Sequence, residues 1–365
     1  MKVLAIEPFA AGSHRSFLEG YAAHSAHEVE LLLMPARHWK WRMRTASLAL
    51  ASQVAERKPD ALFVSDYLGL AELLALLPTA LRGIPVVVYF HENQLTYPLR
   101  DGERRDVHHG LTNIHSALAA QRVVFNSDFH RSAFLDATAE LLTKAPEVDA
   151  AALCAQLQAK SFVTGIGTDL APGAPTPLAA GEAPVLVWNH RWEYDKAPEV
   201  FASALDALEE RGFDFKLRLL GQRFRTNPPA LAEIEERFQD RILGSAHVAS
   251  RADYVACLDA GHISVSTAHH EFFGLATLEA LRRGLMPVLP ADLAYPELLP
   301  AQLRCQPLLY DPGRNPAAIA DAVIAAAMQI QTSEDPRKAL ITATDRFHWN
   351  QVAPELDAHL DRVLS

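Results

Sequence analysis

Cysteine is scarce. The 365 residues hold three, Cys154, Cys257 and Cys305, odd in number and far apart. A disulfide framework needs pairs and a structural zinc site needs closely spaced ligands, so neither has support, and a reducing, cytoplasmic setting is expected. Long apolar runs are also lacking. The opening MKVLAIEPFAAGSH carries an apolar stretch too short to span a bilayer and no cationic leader, and it reads as a first buried strand. Positive charge is in the minority, with 34 Lys and Arg against 44 Asp and Glu and a formal net charge of −10. Wholesale coating of nucleic acid depends on neutralising phosphates, so any polyanion must be met by a local patch. Internal repeats are absent.

The balance that is present, 49% hydrophobic and 21% charged residues, is that of an ordinary globular protein. The length favours two domains, and two halves imply a cleft between them. KVLAIEPF, VELLLMP, DALFVSD, IPVVVYFHE and RVVFNS alternate with segments of helical period. PVLVWNHRW, FDFKLRLLG, RILGSAH, HISVST and MPVLP repeat the pattern after residue 184. That alternation predicts two open α/β units, each a doubly wound parallel sheet with crossover helices. Between them LAPGAPTPLAAGEAP, residues 170 to 184, carries Pro172, Pro175, Pro177 and Pro184, which a helix or central strand would not tolerate. The expected domains are therefore 1–170 and 184–343, followed by a helix in 344–365 on the spacing of Val352, Leu356, Leu360 and Val363.

Ligands of open α/β sheets bind at the carboxyl ends of strands, which directs attention to the segments after strands. HISVSTAHHEFFGLATLEALRRGLMPV leaves a strand near Thr267, passes His270 and Glu271, and enters a helix at Gly274. The free N–H groups of that helix end suit a phosphate. Glu271 and Glu279 bracket it; if helical throughout they stand about 12 Å apart, too far for a glycosidase pair and suited to gripping two ends of one extended ligand. The plainer reading makes Glu279 a solvated helix residue and Glu271 a partner of the helix dipole. In WNHRWEYDKAPEV, Arg191 and Lys196 lie five residues apart across a strand-to-helix loop. They would hold a diphosphate and stabilise its charge as it leaves, or simply pair with Glu193 and Asp195 at the surface. VVVYFHENQ puts His91, Glu92, Asn93 and Gln94 after a first-half strand, although a lone histidine there can be purely structural. In EPFAAGSH, Gly12 lies in a turn into a helix that Ser13 could cap.

Glu271 and Glu279 with seven residues between them, joined to Arg191 and Lys196, resemble the signature of the retaining glycosyltransferases of family 4. The resemblance implies the GT-B fold over nearly the whole chain, a C-terminal helix crossing back to the first domain, and a nucleotide-diphosphate sugar as donor. It implies that Glu271 holds donor-sugar hydroxyls, Glu279 the ribose, and Arg191 with Lys196 the diphosphate. Phe273, Gly274 and Leu275 would offer backbone to the same ligand, and His91 and the Gly12 loop would approach the sugar. No two aspartates are separated by a single residue, so the DxD metal site of other glycosyltransferases is lacking and no metal or other cofactor is expected.

A narrower resemblance rests on PARHWKWRMRTASL, FHENQLTYP, FNSDF, HRWEYDKAPE and STAHHEFFGLATLEA, which look like the tRNA-queuosine mannosyltransferases. It implies transfer of mannose from GDP-mannose to queuosine in a tRNA anticodon loop. Arg37, Trp39, Lys40, Trp41, Arg42 and Arg44, with Glu92, Asn93 and Gln94, would then face the acceptor. Read as extended chain, RHWKWRMR puts His38, Lys40, Arg42 and Arg44 on one side and Arg37, Trp39, Trp41 and Met43 on the other. Cations beside tryptophans suit splayed RNA bases. Arg100, Arg104, Arg105, His108 and His109 would extend the patch, while two tryptophans under a solvated basic loop need no RNA at all. A lipid, glycan or small metabolite as acceptor, a sugar-nucleotide epimerase and a non-catalytic RNA-binding protein remain open at this stage. Exposure of the basic tryptophan segment separates the acceptors.

Overall fold

Parallel strands alternating with helices build two units in a computed structural model of the chain, which describes residues 1–100, 102–224, 227–246, 248, 250–332 and 335–364. One unit comprises Met1–Asp169 with Phe347–Ser365, and the other Leu170–Arg346. The first holds β1 (Lys2–Ala10), β2 (Glu28–Pro35), β3 (Ala61–Ser65), β4 (Val86–Phe90), β5 (Arg122–Phe125) and β6 (Ser161–Val163), in the order β2-β1-β3-β4-β5-β6. The second holds β7 (Val185–Asn189), β8 (Lys216–Leu220), β9 (Ile242–Ala246), β10 (Ile263–Val265), β11 (Met286–Pro290) and β12 (Leu309–Tyr310), in the order β12-β11-β10-β7-β8-β9. Every ladder is parallel. Every residue of β3, β4, β7 and β11 is buried, as a sheet covered by helices on both faces requires.

The two orders fix where each sheet can bind. Counted from its own first strand, the second unit has the dinucleotide-binding order 3-2-1-4-5-6, whose crevice opens between β7 and β10. In the first unit the order turns between β1 and β3. Strands β6 and β12, three and two residues long, are additions to the sequence expectation at sheet edges.

The proline-bearing segment 170–184 forms neither helix nor strand, yet it is fastened to the second unit. Gly173 N–H donates to Arg282 O at 2.8 Å, Arg283 Nη1 to Ala171 O at 2.7 Å and Arg337 Nη1 to Thr176 O at 2.8 Å. Among the described residues no helix is long and apolar enough to cross a membrane.

The last helix, Trp349–Leu364, packs in the first unit against the helix Gly12–His24. Its buried Asp357 accepts from Tyr21 Oη at 2.8 Å, Ser25 Oγ at 2.6 Å and Ala26 N at 2.8 Å. The indole of buried Trp349 lies where a Cβ on Gly20 or Gly167 would overlap it. Replacing Trp349 by Ala empties a pocket lined closely by Gly20 and Gly167, and should lower the stability of the first unit by about 3–5 kcal/mol, read from urea unfolding.

Candidate active site

Lys196 is the centre of the second unit's site. It ends a single helical turn, Tyr194–Lys196, and Ala197 after it has a left-handed backbone (φ 47°) from which the helix Pro198–Glu210 departs. That turn folds the ammonium inward, leaving 7% of the side chain exposed. Its Nζ donates to His270 O at 2.8 Å and lies 3.0 Å from Asp195 Oδ2 and 3.3 Å from Glu271 Oε2. Burial would push the lysine pKa down, but Glu271 and Asp195 outweigh it and hold it above the ordinary value. Glu271 answers in kind. Burial would raise its carboxyl, and the Lys196 charge overrides this and brings it to about 2. His190 and His270 flank the pair and fall to about 4, through burial first and then Lys196. The surroundings are tied by backbone: Thr267 Oγ1 donates to Lys196 O at 2.9 Å, and His269 N–H to Asp195 O at 2.8 Å.

Glu271 lies in the loop after β10, and the helix begins only at Leu275, so the two glutamates do not share one helix. Gly274 precedes it with φ 91°, a backbone that favours glycine, and no side chain caps the helix. Phe273 is buried and Leu275 half-buried at this end. Glu279 is neither solvated nor loose. Arg251 Nη2 donates to its Oε1 at 2.7 Å and Tyr254 Oη to its Oε2 at 2.7 Å, while Asn189 Nδ2 donates to the tyrosine oxygen at 2.7 Å. Arg191 keeps 52% of its side chain exposed and lies 3.1 Å from Glu193, so its surface pairing holds, whereas the Asp195 partnership of Lys196 is buried.

Sequence reasoning missed Arg251, Tyr254 and Asn189. The helix carrying Arg251 and Tyr254 leads into β10, so topology brings it beside the next helix, but no local spacing marks it. Gly221 was missed as well: a Cβ there would overlap His190 O, so the turn after β8 and the Arg191 loop meet backbone to backbone. Glycine ending the strand in LRLLG was the available signal.

In the first unit, Glu7 is buried within β1, and Asp66 and His91 follow β3 and β4. Asp66 Oδ1 accepts His91 N–H at 2.9 Å. Burial, the largest influence, pushes Asp66 above its ordinary value, with Glu92 and Glu7 adding and His14 opposing. His91 falls well below its own through burial, then His14 and His130. Burial opposes His14, yet Glu7, joined by Asp66 and Glu92, raises it to about 9. His91 is not a satisfied structural histidine, because its buried Nε2 has no hydrogen-bond partner. Glu92 accepts from Tyr67 Oη at 2.5 Å and Gln94 Nε2 at 3.0 Å; buried Asn93 folds onto Leu95 N–H and Thr96 N–H. Gly12 has φ 50° and opens the first helix, whose cap position is Ala11. Ser13 therefore lies inside the helix rather than capping it, a correction to expectation.

The basic tryptophan segment is also corrected. It is helical from Trp39, after a left-handed His38, because Met43, Ala46, Ser47, Leu50 and Val54 supply a buried face of period 3.6. Helical spacing replaces the two-sided extended reading. Trp41 is 70% exposed and Leu48 68%, alongside exposed Arg37, Lys40 and Arg44. Trp39 is half-buried, its ring 5.2 Å from that of His109 and 6.2 Å from that of Tyr67. Arg42 is half-buried with Nη1 3.7 Å from Met34 Sδ, and Arg44 Nη1 donates to Thr112 Oγ1 at 3.3 Å. Arg100, Arg104 and His108 are exposed, whereas Arg105 donates to Gln94 O and Tyr97 O, both at 2.8 Å.

Two parallel sheets covered by helices, with a lysine and two glutamates at the switch point of the second, define a glycosyltransferase of the GT-B fold. Sucrose-phosphate synthase from Thermosynechococcus elongatus superposes with a TM-score of 0.74 at 15% identity, covering 100% of this chain and 99% of that one. The tRNA-queuosine alpha-mannosyltransferase N-terminal model matches residues 2–167, and the glycosyl transferases group 1 model residues 183–329. A Drosophila melanogaster tRNA-queuosine alpha-mannosyltransferase is 35% identical over 311 residues, 82% of each chain. A GDP-mannose:cellobiosyl-diphosphopolyprenol alpha-mannosyltransferase of Xanthomonas oryzae is 26% identical over 80% of this chain and 69% of its own. The chain belongs to the tRNA-queuosine alpha-mannosyltransferase family.

The depressed Glu271 carboxyl gives a pH prediction with a definite sign. Its contribution to stability is fully present above its ordinary value of 4.5 and is lost as pH falls through about 2. Melting temperatures of the native chain and Glu271→Gln should differ by a constant amount from neutral pH to near 4.5, then converge toward pH 2.

Proposed function

We propose that this protein transfers mannose from GDP-mannose to queuosine in a tRNA anticodon loop, with retention at the anomeric carbon and without a metal. The observation that carries the reading is the buried Lys196–Glu271 pair at the β7/β10 crevice of a nucleotide-binding sheet, in a chain 35% identical to the fly enzyme. In the proposed reaction the anomeric carbon's bond to the diphosphate breaks through an oxocarbenium-like state, and the acceptor hydroxyl attacks on the face the diphosphate leaves, its proton passing to the departing diphosphate oxygen. Lys196, Arg191 and the helix end at Gly274 would stabilise the departing charge. Glu271 and His91 would orient the sugar, Glu279 would hold the ribose, and Phe273 and Leu275 would line the donor. Gly12 would let the first-unit loop come close to it. A tRNA acceptor fits work in the cytoplasm.

Exposure of Trp41, Arg37, Lys40 and Arg44 favours an RNA over a small metabolite, because an indole and cations left in water are ready to stack a base and meet phosphates. Glu92, Asn93 and Gln94 would border the acceptor.

The deciding experiment is mass spectrometry of nucleosides from queuosine-bearing tRNA incubated with the purified protein, GDP-mannose and a chelator. One hexose added to queuosine is expected; unmodified queuosine with turnover on another acceptor would refute the acceptor. Lys196→Ala should cut turnover by about 100-fold or more, and near-native turnover would remove its role. The triple substitution Arg37→Glu, Lys40→Glu, Arg44→Glu should weaken tRNA binding and flatten its salt dependence while leaving GDP-mannose binding unchanged.

A further inference from the structure

The functional reading leaves Glu7 and His14 without a use, although both stand beside His91. Glu7 projects from β1, His14 from the first turn of the helix Gly12–His24, and His91 from the end of β4. Each offers one ligand atom, and these atoms lie within 4.8 Å of one another. Glu7 is oriented for the purpose: its Oε1 accepts Phe9 N–H at 2.8 Å, while Oε2 lies 3.1 Å from His14 Nδ1. His91 is fixed through its backbone, its N–H to Asp66 Oδ1 and its O from Asn126 Nδ2, both at 2.9 Å. Its ring is wedged by His14 at 4.2 Å and by Phe17 and Tyr89 at 4.8 Å. Two buried atoms in this cluster, His91 Nε2 and Asp66 Oδ2, have no hydrogen-bond partner. A buried polar atom without a partner is costly, and a cation is the ligand that would satisfy an imidazole nitrogen and carboxylate oxygens together.

We propose that Glu7, His14 and His91 form a three-ligand site for a borderline divalent transition ion of the Zn2+ class. Two imidazoles and one carboxylate, with a position left open, are the donors such ions take, whereas Mg2+ and Ca2+ take oxygen. On binding, the ion replaces the hydrogen shared by Glu7 and His14, which passes to solvent. Asp66 borders the site, holding the His91 backbone, without being a ligand. Because the ion takes a ring nitrogen of His91, it inhibits sugar transfer; that clause alone rests on the function proposed above.

The test is calorimetric titration of the chelator-stripped, full-length chain with Zn2+, and with Co2+ followed by visible absorption. One equivalent of Zn2+ bound, a Co2+ spectrum of low coordination number and no Mg2+ binding at the same concentrations are expected. His14→Gln and, separately, Glu7→Gln should each weaken Zn2+ binding by more than about tenfold, with circular dichroism verifying the fold; if one variant does not fold, the other decides. No Zn2+ binding, or binding that neither variant weakens, overturns the site. Zn2+ binding with unchanged transfer overturns the inhibition only, and intact Zn2+ binding in a chain that transfers no mannose counts against the proposed function and not against the site.

Discussion

A lysine ammonium taken out of water must be matched by charge, and the second unit is organised around that demand. Lys196 is enclosed by one carbonyl and two carboxylates, those of His270, Asp195 and Glu271. Removal of either carboxylate leaves a buried cation under-compensated, which is more costly than loss of a surface pair. The same enclosure aligns two loops that are remote in sequence, since Asp195 and Lys196 follow β7 and His270 and Glu271 follow β10. The ion pair therefore sets the shape of the crevice as well as its charge. Glu279 is fixed independently by Arg251 and Tyr254, so each carboxylate at the two ends of one short segment has its own cation.

Both sheets use the same position for different chemistry. In each, the loop after the first strand lies where strand order reverses, so its side chains stand beside those from the neighbouring strand's end. In the first unit that juxtaposition collects Glu7, His14, Asp66 and His91, an acidic and imidazole cluster whose protons are shared among neighbours. In the second it collects Lys196 and Glu271, a separated pair of opposite charges.

Legibility in the sequence followed the range of the interactions. Ten strands and the parallel architecture were readable because apolar periodicity is local, whereas β6 and β12 are too short for any period to show. Glu271, Glu279, Arg191 and Lys196 stood out through spacing and resemblance. Arg251, Tyr254 and Gly221 did not, since each acts on a residue reached only through the fold. The tryptophan segment was misread as extended because alternating Trp and Lys imitate period two. Met43, Ala46, Leu50 and Val54, further along, carry the longer helical period that decides the matter.

That helical reading changes what the basic segment can present. An extended strand would divide its cations from its tryptophans, one set per face, and burial of either face would silence half of them. On a helix, residues three, four and seven apart stand together, so Trp41, Arg44 and Leu48 form one exposed stripe with Lys40 beside it. Trp39, meanwhile, turns inward against His109 and Tyr67 and anchors the helix start. In a chain of net charge −10 the long-range field repels a polyanion. In the acceptor role proposed for it, such a stripe would work at distances below the roughly 8 Å screening length of physiological salt, where local cations and the open indole count for more than distant carboxylates. The proposed binding of an RNA loop would thus depend on contact geometry rather than on attraction from afar.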